Sequence, residues 1–490
     1  MSGSFPPSLL FHDYETWGIS ASIDYPCQFA AIRTDLACQP IDQPIDIMAQ
    51  IHLDYLPHPQ ACLVTGITPQ YSQDNGLNEH QFMTQIHAQM SVPNTCSVGY
   101  NSIKFDDEFT RYSLFRNFFD PYKREWEKGN SRWDIINLVR ACYALRPEGI
   151  NWPMDEEDKP SFKLERLTQA NGVSHEQAHD ALNDVHATIA MTQLIQQHQP
   201  RLFDYAFTLR SKHKVADCVS EHWQRPLLYI NAYRSARNGC VSFVVPIAAH
   251  PTNNNATICI DLTKDITPLL TLDISELTQL MYLKQAERTS ATPHVAILDI
   301  KHNQCPFIAP TKTLSPQRAI DLGLDVDLYQ QRFEQLQHVL QSTQAQQLIN
   351  TCQQLCQRDY PVVDTDIEAS LYSGAFFTAP EKQFCDDIHN TPPNNLSNML
   401  KEAPSARMQA LGFRFLARNY PECLSEEQHN EWLQHCQQHL FAREDRLSFQ
   451  QYFAVIDELL ANITLDPRSK QVLHDLHEYG QSHPLYVAHT

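Results

Sequence analysis

Glycine is scarce in this chain, and the shortage excludes a common kind of nucleotide site. The sequence has 13 glycines in 490 residues, whereas average proteins contain about 7% glycine. Neither GxGxxG nor GxxxxGK occurs. We therefore expect no glycine-rich loop of the kind that surrounds nucleotide phosphates with backbone amides.

Long apolar runs and paired-cysteine motifs are also missing. No stretch approaches the roughly 18 apolar residues that span a bilayer, and the opening MSGSFPPSLLF lacks the basic and apolar segments of a secretion signal. The 14 cysteines are scattered without CxxC spacing, which favours reduced structural thiols over a zinc site or a disulfide framework. We expect a cytoplasmic protein that does not enter a membrane.

The charge balance limits how the protein could bind a polyanion. With 37 Lys and Arg against 57 Asp and Glu, the formal net charge is −20. The field of the whole molecule repels nucleic acid, so such a partner must meet a local basic surface. A chain of 490 residues also exceeds the size of one hydrophobic core, which predicts two or three domains.

The hydrophobic pattern changes along the chain in three stages. Up to about residue 200, strand-length apolar runs alternate with helical periodicity, which indicates an α/β domain. The predicted strands are 8–13, 27–36, 45–53 and 95–100, and the predicted helices are 78–90, 105–117, 131–145, 162–171 and 181–198. From about 200 to 350 the pattern is rich in β-strands, and the remainder is helical. Capping residues mark a helix start at Thr68 in the first stage and at Ser425 and Asp466 in the last.

The first candidate for chemistry is Asp13-Tyr14-Glu15, at the end of an apolar run. In a strand, alternate residues share a face, so both carboxylates would project together. Two such carboxylates repel each other unless a cation lies between them, and oxygen ligands suit Mg²⁺ or Mn²⁺. A solvent-facing D-x-E is the alternative when the segment is taken alone.

Two further acidic segments could add to this site. Asp106, Asp107 and Glu108 follow the strand ending near residue 100, although acidic residues in a first helical turn also complement the helix dipole. In HDALND, His179 lies before a helix start, with Asp180 as a candidate N-cap, and both His179 and Asp184 could reach one site. A capping Asp with an exposed His is the alternative for that hexapeptide.

Together these segments form a recognisable order: D-x-E on the first strand, a central Asp, and H-x-x-x-x-D on a late helix. This order resembles the DEDD exonucleases of the RNase H-like superfamily, in the subgroup with a histidine in the last motif. The strings LFHDYETWG, YNSIKFDDEFTR and AHDALNDV are similar to the bacterial exonuclease I family. The resemblance is dense over the first 215 residues and thinner beyond them.

The resemblance implies a fold in three parts. An α/β RNase H-like exonuclease domain, a mixed sheet with flanking helices, would occupy residues 1–198. A β-rich SH3-like domain would follow at 199–352, and an all-α C-terminal domain at 353–490. In this family the later domains close a clamp around single-stranded DNA.

The resemblance also implies an activity and its residues. The expected enzyme degrades single-stranded DNA processively from 3′ to 5′ and releases 5′-mononucleotides in repair and recombination, using two Mg²⁺ ions, with Mn²⁺ as an alternative. Asp13 would bridge both metals, Glu15 and Asp184 would complete one shell, and Asp106 would act on the other. His179 would be the general base, and Glu15 would also approach the terminal 3′-hydroxyl.

A basic, aromatic-rich segment is the candidate strand-binding surface. Residues 111–146 hold eight basic side chains against four acidic ones, a local charge of +4. Phosphate-facing cations interleaved with aromatic rings suit sequence-tolerant single-strand binding, although a helix pair with a solvated basic face and core aromatics is the alternative. The family pattern implies strand contacts at Arg111, Tyr122, Trp126, Arg140, Lys163, Asn255 and Lys301.

The family also implies a protein partner. Exonuclease I binds the acidic C-terminal tail of single-stranded-DNA-binding protein, and Arg146 and Tyr205 match that pocket, whereas Ser315 replaces an expected arginine. We expect a monomer, because a clamp around its substrate needs no second copy. The rival functions are a DEDD exoribonuclease and a catalytically silent single-strand-binding scaffold. Loss of a metal-binding carboxylate would favour the scaffold, and the sequence keeps all of them.

Overall fold

The computed structural model describes residues 5–173, 180–357, 366–443, 445–461 and 464–489. Its chain forms two compact units. The first unit contains residues 1–131, 175–188 and 362–490, and the second contains residues 132–174 and 189–361. The predicted domain boundaries at 198 and 352 stay predictions.

A mixed sheet lies at the centre of the first unit. Its strands are β1 (Ser8–Thr16), β2 (Pro26–Thr34), β3 (Ile45–Met48) and β4 (Thr95–Gly99). The strand order is β3-β2-β1-β4-β5, where β5 is Ser131–Asp134. The first segment of the unit ends at Ser131, the first residue of β5. β1 pairs antiparallel with β2 and parallel with β4. The β4 pairing covers only residues 8–11 of β1, so the carboxyl end of β1 extends beyond it.

Four helices accompany these strands. They are α1 (Pro59–Thr65), α2 (Pro69–Asn75), α3 (Glu79–Met90) and α4 (Asp106–Arg116). α3 places Phe82, Met83 and Ile86 in one apolar cluster with Leu10 of β1 and Phe29 of β2. The helix start predicted at Thr68 is confirmed, because its side chain accepts a hydrogen bond from the Tyr71 amide.

The second unit contains an antiparallel sheet of five strands in the order β10-β6-β7-β8-β9. The strands are β6 (Leu227–Ile230), β7 (Val241–Ala249), β8 (Ala256–Asp261), β9 (Ile297–Lys301) and β10 (Phe307–Pro310). The helices before and within this region are α5 (Ile136–Leu145), α6 (Leu164–Ala170), α7 (Ala181–His198, whose first residues belong to the first unit), α8 (Pro200–Thr208), α9 (Lys212–Glu221), α10 (Thr267–Thr271), α11 (Ile274–Tyr282), α12 (Pro316–Asp321), α13 (Val326–Leu340) and α14 (Ala345–Cys356). A β-rich second stage is therefore confirmed.

The chain then returns to the first unit as a set of helices. They are α15 (Ala379–Asn390), α16 (Pro393–Leu400), α17 (Ala406–Asn419), α18 (Glu426–Gln437), a π-helical turn (Gln438–Ala442), α19 (Phe449–Leu460), α20 (Pro467–Ser482) and α21 (Pro484–His489). The predicted capping starts at Ser425 and Asp466 are confirmed. The mixed sheet, the β-rich segment and this helical segment confirm the predicted fold class.

The C-terminal helices share a core with the residues around the first sheet. One apolar cluster joins Trp17, Tyr25 and Leu56 to Trp432 and Tyr452. Buried ion pairs accompany it, because Arg418 of α17 donates to Asp54 and to Glu368. The Arg418 side chain is 2% exposed, so these charges hold one another in the interior.

Two sequence expectations are wrong in detail. The predicted strand 45–53 ends at Met48. Residues 131–134 form strand β5, and the predicted helix begins only at Ile136. In the +4 segment some cations are internal, because Arg116 and Arg124 are buried and paired with Glu79 and Asp107. Each of the 14 cysteines is a free thiol. Among the described residues, no helix combines the length and apolarity needed to span a membrane.

Candidate active site

Strand β1 brings the first two predicted carboxylates together. Asp13 and Glu15 lie two residues apart on β1, so they share a face, as predicted. Carboxylate oxygens of Asp13, Glu15 and Asp184 all lie within 4.8 Å of one another. We call these three residues and Asp106 the carboxylate cluster.

The start of α7 supplies Asp184. The Asp180 side chain accepts a hydrogen bond from the Asn183 amide at 3.2 Å, which confirms it as the N-cap. Gln28 on β2 lies directly opposite Glu15 and donates to Asp46 at 2.9 Å and to Asp180 at 3.4 Å. Gln28 thereby fixes the helix start against the sheet, a role that sequence reasoning missed.

Helix α4 supplies Asp106 as its first residue. Its Oδ1 accepts a hydrogen bond at 3.2 Å from the backbone N–H of Tyr14, the residue between Asp13 and Glu15. The Thr110 hydroxyl donates to the Asp106 carbonyl at 2.8 Å and lies 3.0 Å from the Tyr14 hydroxyl. Asp106 is therefore held against the part of β1 that carries the other two carboxylates.

Asp107 has a different role from its neighbour. Its Oδ1 accepts a hydrogen bond at 2.6 Å from Arg124, whose side chain is 0% exposed. The sequence analysis counted Arg124 among the eight basic side chains of residues 111–146 and did not find this pair. The structure holds Asp106 against β1 between Asp13 and Glu15 and places Asp107 in an internal ion pair.

Crowding disfavours ionisation of the cluster. Burial raises the pKa of Asp13 well above its usual range, and the charges of Asp106, Glu15 and Asp184 raise it further. Burial and the charges of Asp184 and Asp106 raise the pKa of Glu15 to about 8. A divalent cation would remove this repulsion, and carboxylate oxygens are the ligands that hard cations prefer. The donor set therefore fits a divalent metal ion.

These pKa shifts predict that the metal-free protein becomes less stable as pH rises. The pKa of Glu15 is about 8 in the folded chain and 4.5 ordinarily, so between these values the folded state binds more protons and the free energy of unfolding falls with pH. In EDTA, we expect the thermal midpoint at pH 8 to lie at least about 2 °C below that at pH 5.5. The fall in the midpoint should be smaller in Glu15→Gln, and Mg²⁺ should restore the midpoint of the wild type at pH 8. An identical pH dependence in Glu15→Gln would show that Glu15 is not the group responsible.

The other predicted residues of the first unit differ in exposure. Trp126 is 64% exposed and Tyr122 is half-buried. Arg111 is engaged by two carboxylates, Glu125 at 2.8 Å and Glu108 at 2.7 Å, and its guanidinium lies 5.5 Å from the centre of the Tyr122 ring. His179 lies outside the described residues.

The remaining predicted strand contacts belong to the second unit. Lys163 is exposed just before α6, and Arg140 donates to Asn137 at 3.1 Å. Asn255 and Lys301 lie close together, because Lys301 at the end of β9 pairs with Ala256 of β8. The Asn255 side chain accepts a hydrogen bond from Lys212 at 3.4 Å.

Both predicted partner-binding residues also belong to the second unit. Arg146 is exposed and donates to the Thr313 carbonyl at 3.2 Å. The Tyr205 hydroxyl donates to the Ile308 carbonyl at 2.8 Å. Ser315, where an arginine was expected, caps α12 by accepting from the Arg318 amide, and the Arg318 guanidinium lies over the Tyr143 ring at 5.0 Å.

Three family models match consecutive parts of the chain. An exonuclease model matches residues 10–192, the exonuclease I SH3-like domain matches residues 210–352, and the exonuclease I C-terminal domain matches residues 365–483. The carboxylate cluster lies within the first match.

Similar proteins cover nearly the whole chain. Exodeoxyribonuclease I of Escherichia coli is 41% identical over 438 residues, which is 89% of this chain and 90% of that protein. A crystal structure of E. coli exonuclease I with a dA16 oligonucleotide has a TM-score of 0.91 at 38% identity, over 97% of this chain and 100% of the other. A zinc-bound complex of the E. coli enzyme with single-stranded DNA has a TM-score of 0.90 at 38% identity, over 97% and 99% of the two chains.

Proposed function

The chain belongs to the exonuclease I family, and we propose that its carboxylate cluster is the centre at which it hydrolyses DNA. The protein is an exodeoxyribonuclease that acts on single-stranded DNA and depends on a divalent metal ion. We further propose that it proceeds from the 3′ end, processively, and releases 5′-mononucleotides in repair and recombination. The observation that carries the site is the convergence of Asp13, Glu15 and Asp184 within 4.8 Å.

Magnesium is the proposed metal, and two ions are expected. When bound, such a pair activates a water molecule and neutralises charge that builds up on the phosphate. Asp13, Glu15, Asp106 and Asp184 would hold the ions. The oxygens of Asp13, Glu15 and Asp184 converge, Asp106 is hydrogen-bonded to the Tyr14 amide between the first two, and the repulsion among these charges needs a cation. An all-oxygen donor set favours Mg²⁺ or Mn²⁺ over zinc, which prefers nitrogen and sulfur.

His179 is the proposed general base, and its removal should slow hydrolysis. We expect His179→Ala to lower the turnover rate by about 10² to 10⁴ without reducing metal binding, since a positioned base contributes that much. His186→Ala is the matched control, because His186 is exposed on α7. Single-turnover digestion of labelled DNA measures both; an unchanged rate in His179→Ala would assign the base elsewhere.

Trp126 is the proposed stacking residue with the clearest exposure. Stacking of a base on an aromatic ring contributes about 1–3 kcal/mol, so Trp126→Ala should weaken single-strand binding by about 5- to 150-fold. Fluorescence anisotropy in EDTA measures binding without hydrolysis. Trp223→Ala is the control, because Trp223 is also exposed, at 42%. Equal losses in the two variants would remove Trp126 from the strand path.

We propose strand contacts of the same kind for Arg111, Tyr122, Arg140, Lys163, Asn255 and Lys301. Arg111 is already paired with Glu108 and Glu125, so its contribution should be smaller than its charge suggests. Lys163 is exposed and keeps a positive charge, although it lacks the bidentate geometry of arginine. Binding that did not weaken with salt would contradict these phosphate contacts.

A protein partner is proposed for the second unit. Exposed Arg146 and half-buried Tyr205 would bind the acidic C-terminal tail of single-stranded-DNA-binding protein, through its carboxylates and its apolar end. A fluorescent tail peptide should bind the wild-type chain and bind Arg146→Ala more weakly; equal binding would reject the pocket. Monomeric state and cytoplasmic location stay predictions of the sequence.

The choice of substrate is tested with matched single strands. The protein is incubated with Mg²⁺ and DNA or RNA oligomers of the same sequence. Loss of DNA alone supports the proposal. Faster loss of RNA would indicate an exoribonuclease, and binding without cleavage would indicate a silent scaffold.

A further inference from the structure

A second group of side chains that could bind a metal lies in the first unit. It consists of two histidines and one aspartate, and none of them belongs to the carboxylate cluster. Asp54 follows β3, His435 lies on α18, and His439 lies on the π-helical turn. One ligand atom from each lies within 4.8 Å of the other two. We call these three residues the His–Asp cluster.

We propose that the His–Asp cluster binds one divalent transition-metal ion of the zinc class, separate from the ions that serve hydrolysis. His439 Nδ1 lies 3.6 Å and His435 Nε2 lies 3.8 Å from Asp54 Oδ2. Ligands about 2.0–2.1 Å from a tetrahedral zinc ion are about 3.4 Å apart, so small movements would close the site. Two imidazoles and a carboxylate form a ligand set that zinc uses with a water as fourth ligand.

One ring nitrogen of each histidine is buried without a hydrogen bond. His435 Nε2 and His439 Nδ1 have no hydrogen-bond partner, although each points toward the same carboxylate oxygen. Buried polar atoms are normally satisfied. A metal ion would satisfy both nitrogens at once.

The surroundings resemble those of a built metal site. The other nitrogen of His439, Nε2, faces two groups: Arg443 Nη1 lies 3.3 Å and Asp366 Oδ2 lies 3.6 Å from it. A carboxylate on the far side of the ring commonly orients a metal-binding histidine. The π-helical turn brings the His435 and His439 rings to a centroid distance of 3.9 Å. Such turns inside α-helices are frequent at functional sites.

Described side chains of both charge signs surround the cluster. Four arginines face four carboxylates: Arg414, Arg418, Arg443 and Arg446 against Asp54, Asp366, Glu368 and Asp445. Arg418 Nη2 donates to Asp54 Oδ2 at 2.7 Å, and a carboxylate oxygen has a second lone pair for a metal.

A cavity gives the cluster access to solvent. It has a volume of about 490 Å³, and Asp54 and His439 line it together with apolar residues such as Leu56 and Leu447. An ion could enter and keep a water ligand there. The bound ion would join the segment after β3 to the C-terminal helices, so its expected role is structural.

Cobalt(II) tests the proposal, because it replaces zinc and its visible absorption reports coordination. The metal-free chain carries Asp13→Asn, which disrupts the carboxylate cluster. We expect one Co²⁺ per chain with the strong absorption of a tetrahedral site. His439→Gln in the same background should weaken this binding by at least about 100-fold, whereas His429→Gln, an exposed histidine on α18, should not change it.

The test can fail in two ways. Weak octahedral absorption alone, or strong absorption that persists in both His435→Gln and His439→Gln, would overturn the proposal. Thermal unfolding gives a second readout, because Zn²⁺ should raise the midpoint of Asp13→Asn but not that of Asp13→Asn with His435→Gln. If the glutamine variants fail to fold, the absorption of the Asp13→Asn chain decides the question.

Discussion

Asp13→Asn should abolish hydrolysis while the protein remains folded and binds single-stranded DNA. Asp13 shares its site with Glu15 and Asp184 within 4.8 Å, so its loss removes the central ligand of the proposed metal pair. The same change removes one of several crowded charges, so the metal-free variant should be at least as stable as the wild type. Digestion in Mg²⁺, anisotropy in EDTA and thermal unfolding measure the three properties.

The matched control for this prediction is Asp74→Asn. Asp74 is exposed on α2 of the same unit, and its substitution should leave all three properties unchanged. Hydrolysis at the wild-type rate in Asp13→Asn would reject the carboxylate cluster as the active site. A large loss of stability in that variant would show that Asp13 has a structural role instead.

Arg418→Met should destabilise the folded chain more than any of the other substitutions. The Arg418 side chain is 2% exposed and donates to Asp54 and Glu368, so methionine would leave two carboxylates buried without their cation. Removing one partner of a buried ion pair costs about 3–5 kcal/mol. We expect a loss of at least that size in the free energy of unfolding at pH 7, measured by urea titration.

The pH dependence distinguishes this cause from simple loss of packing. Although burial opposes it, Arg418 lowers the pKa of Glu368 to about 2 in the folded chain. This carboxylate therefore contributes stability above its ordinary pKa of 4.5, and the contribution is lost as pH falls toward 2. The difference between wild type and Arg418→Met should therefore shrink below about pH 4.5. A constant difference, or an equal loss in Arg201→Met at an exposed site, would contradict this explanation.

Sequence patterns predicted those parts of the site that depend only on residues close together in the chain. Strand alternation places Asp13 and Glu15 on one face, and capping chemistry places Asp180 at the start of α7, as expected. Both outcomes depend on residues a few positions apart. Bringing Asp184 to Asp13 depends on the tertiary fold, and the family resemblance, not the local pattern, supplied that contact.

Long-range pairing is what the sequence did not reveal. Arg124 and Asp107 are 17 residues apart, and Arg418 and Asp54 are 364 residues apart. Composition treats Arg124 as a surface cation, because a charge count carries no information on burial. Gln28 was missed for a related reason: its contact with Asp180 spans 152 residues.

Removal of nucleotides from the 3′ end of single-stranded DNA is the activity proposed for the carboxylate cluster. The decisive experiment follows a single strand labelled at its 5′ end, and the same strand labelled at its 3′ end, in Mg²⁺ and in EDTA. We expect Mg²⁺ to release the 3′ label at once as a mononucleotide while the 5′-labelled strand shortens, and EDTA or Asp13→Asn to prevent both. Immediate release of the 5′ label, or undiminished cleavage in EDTA, would contradict the proposed activity.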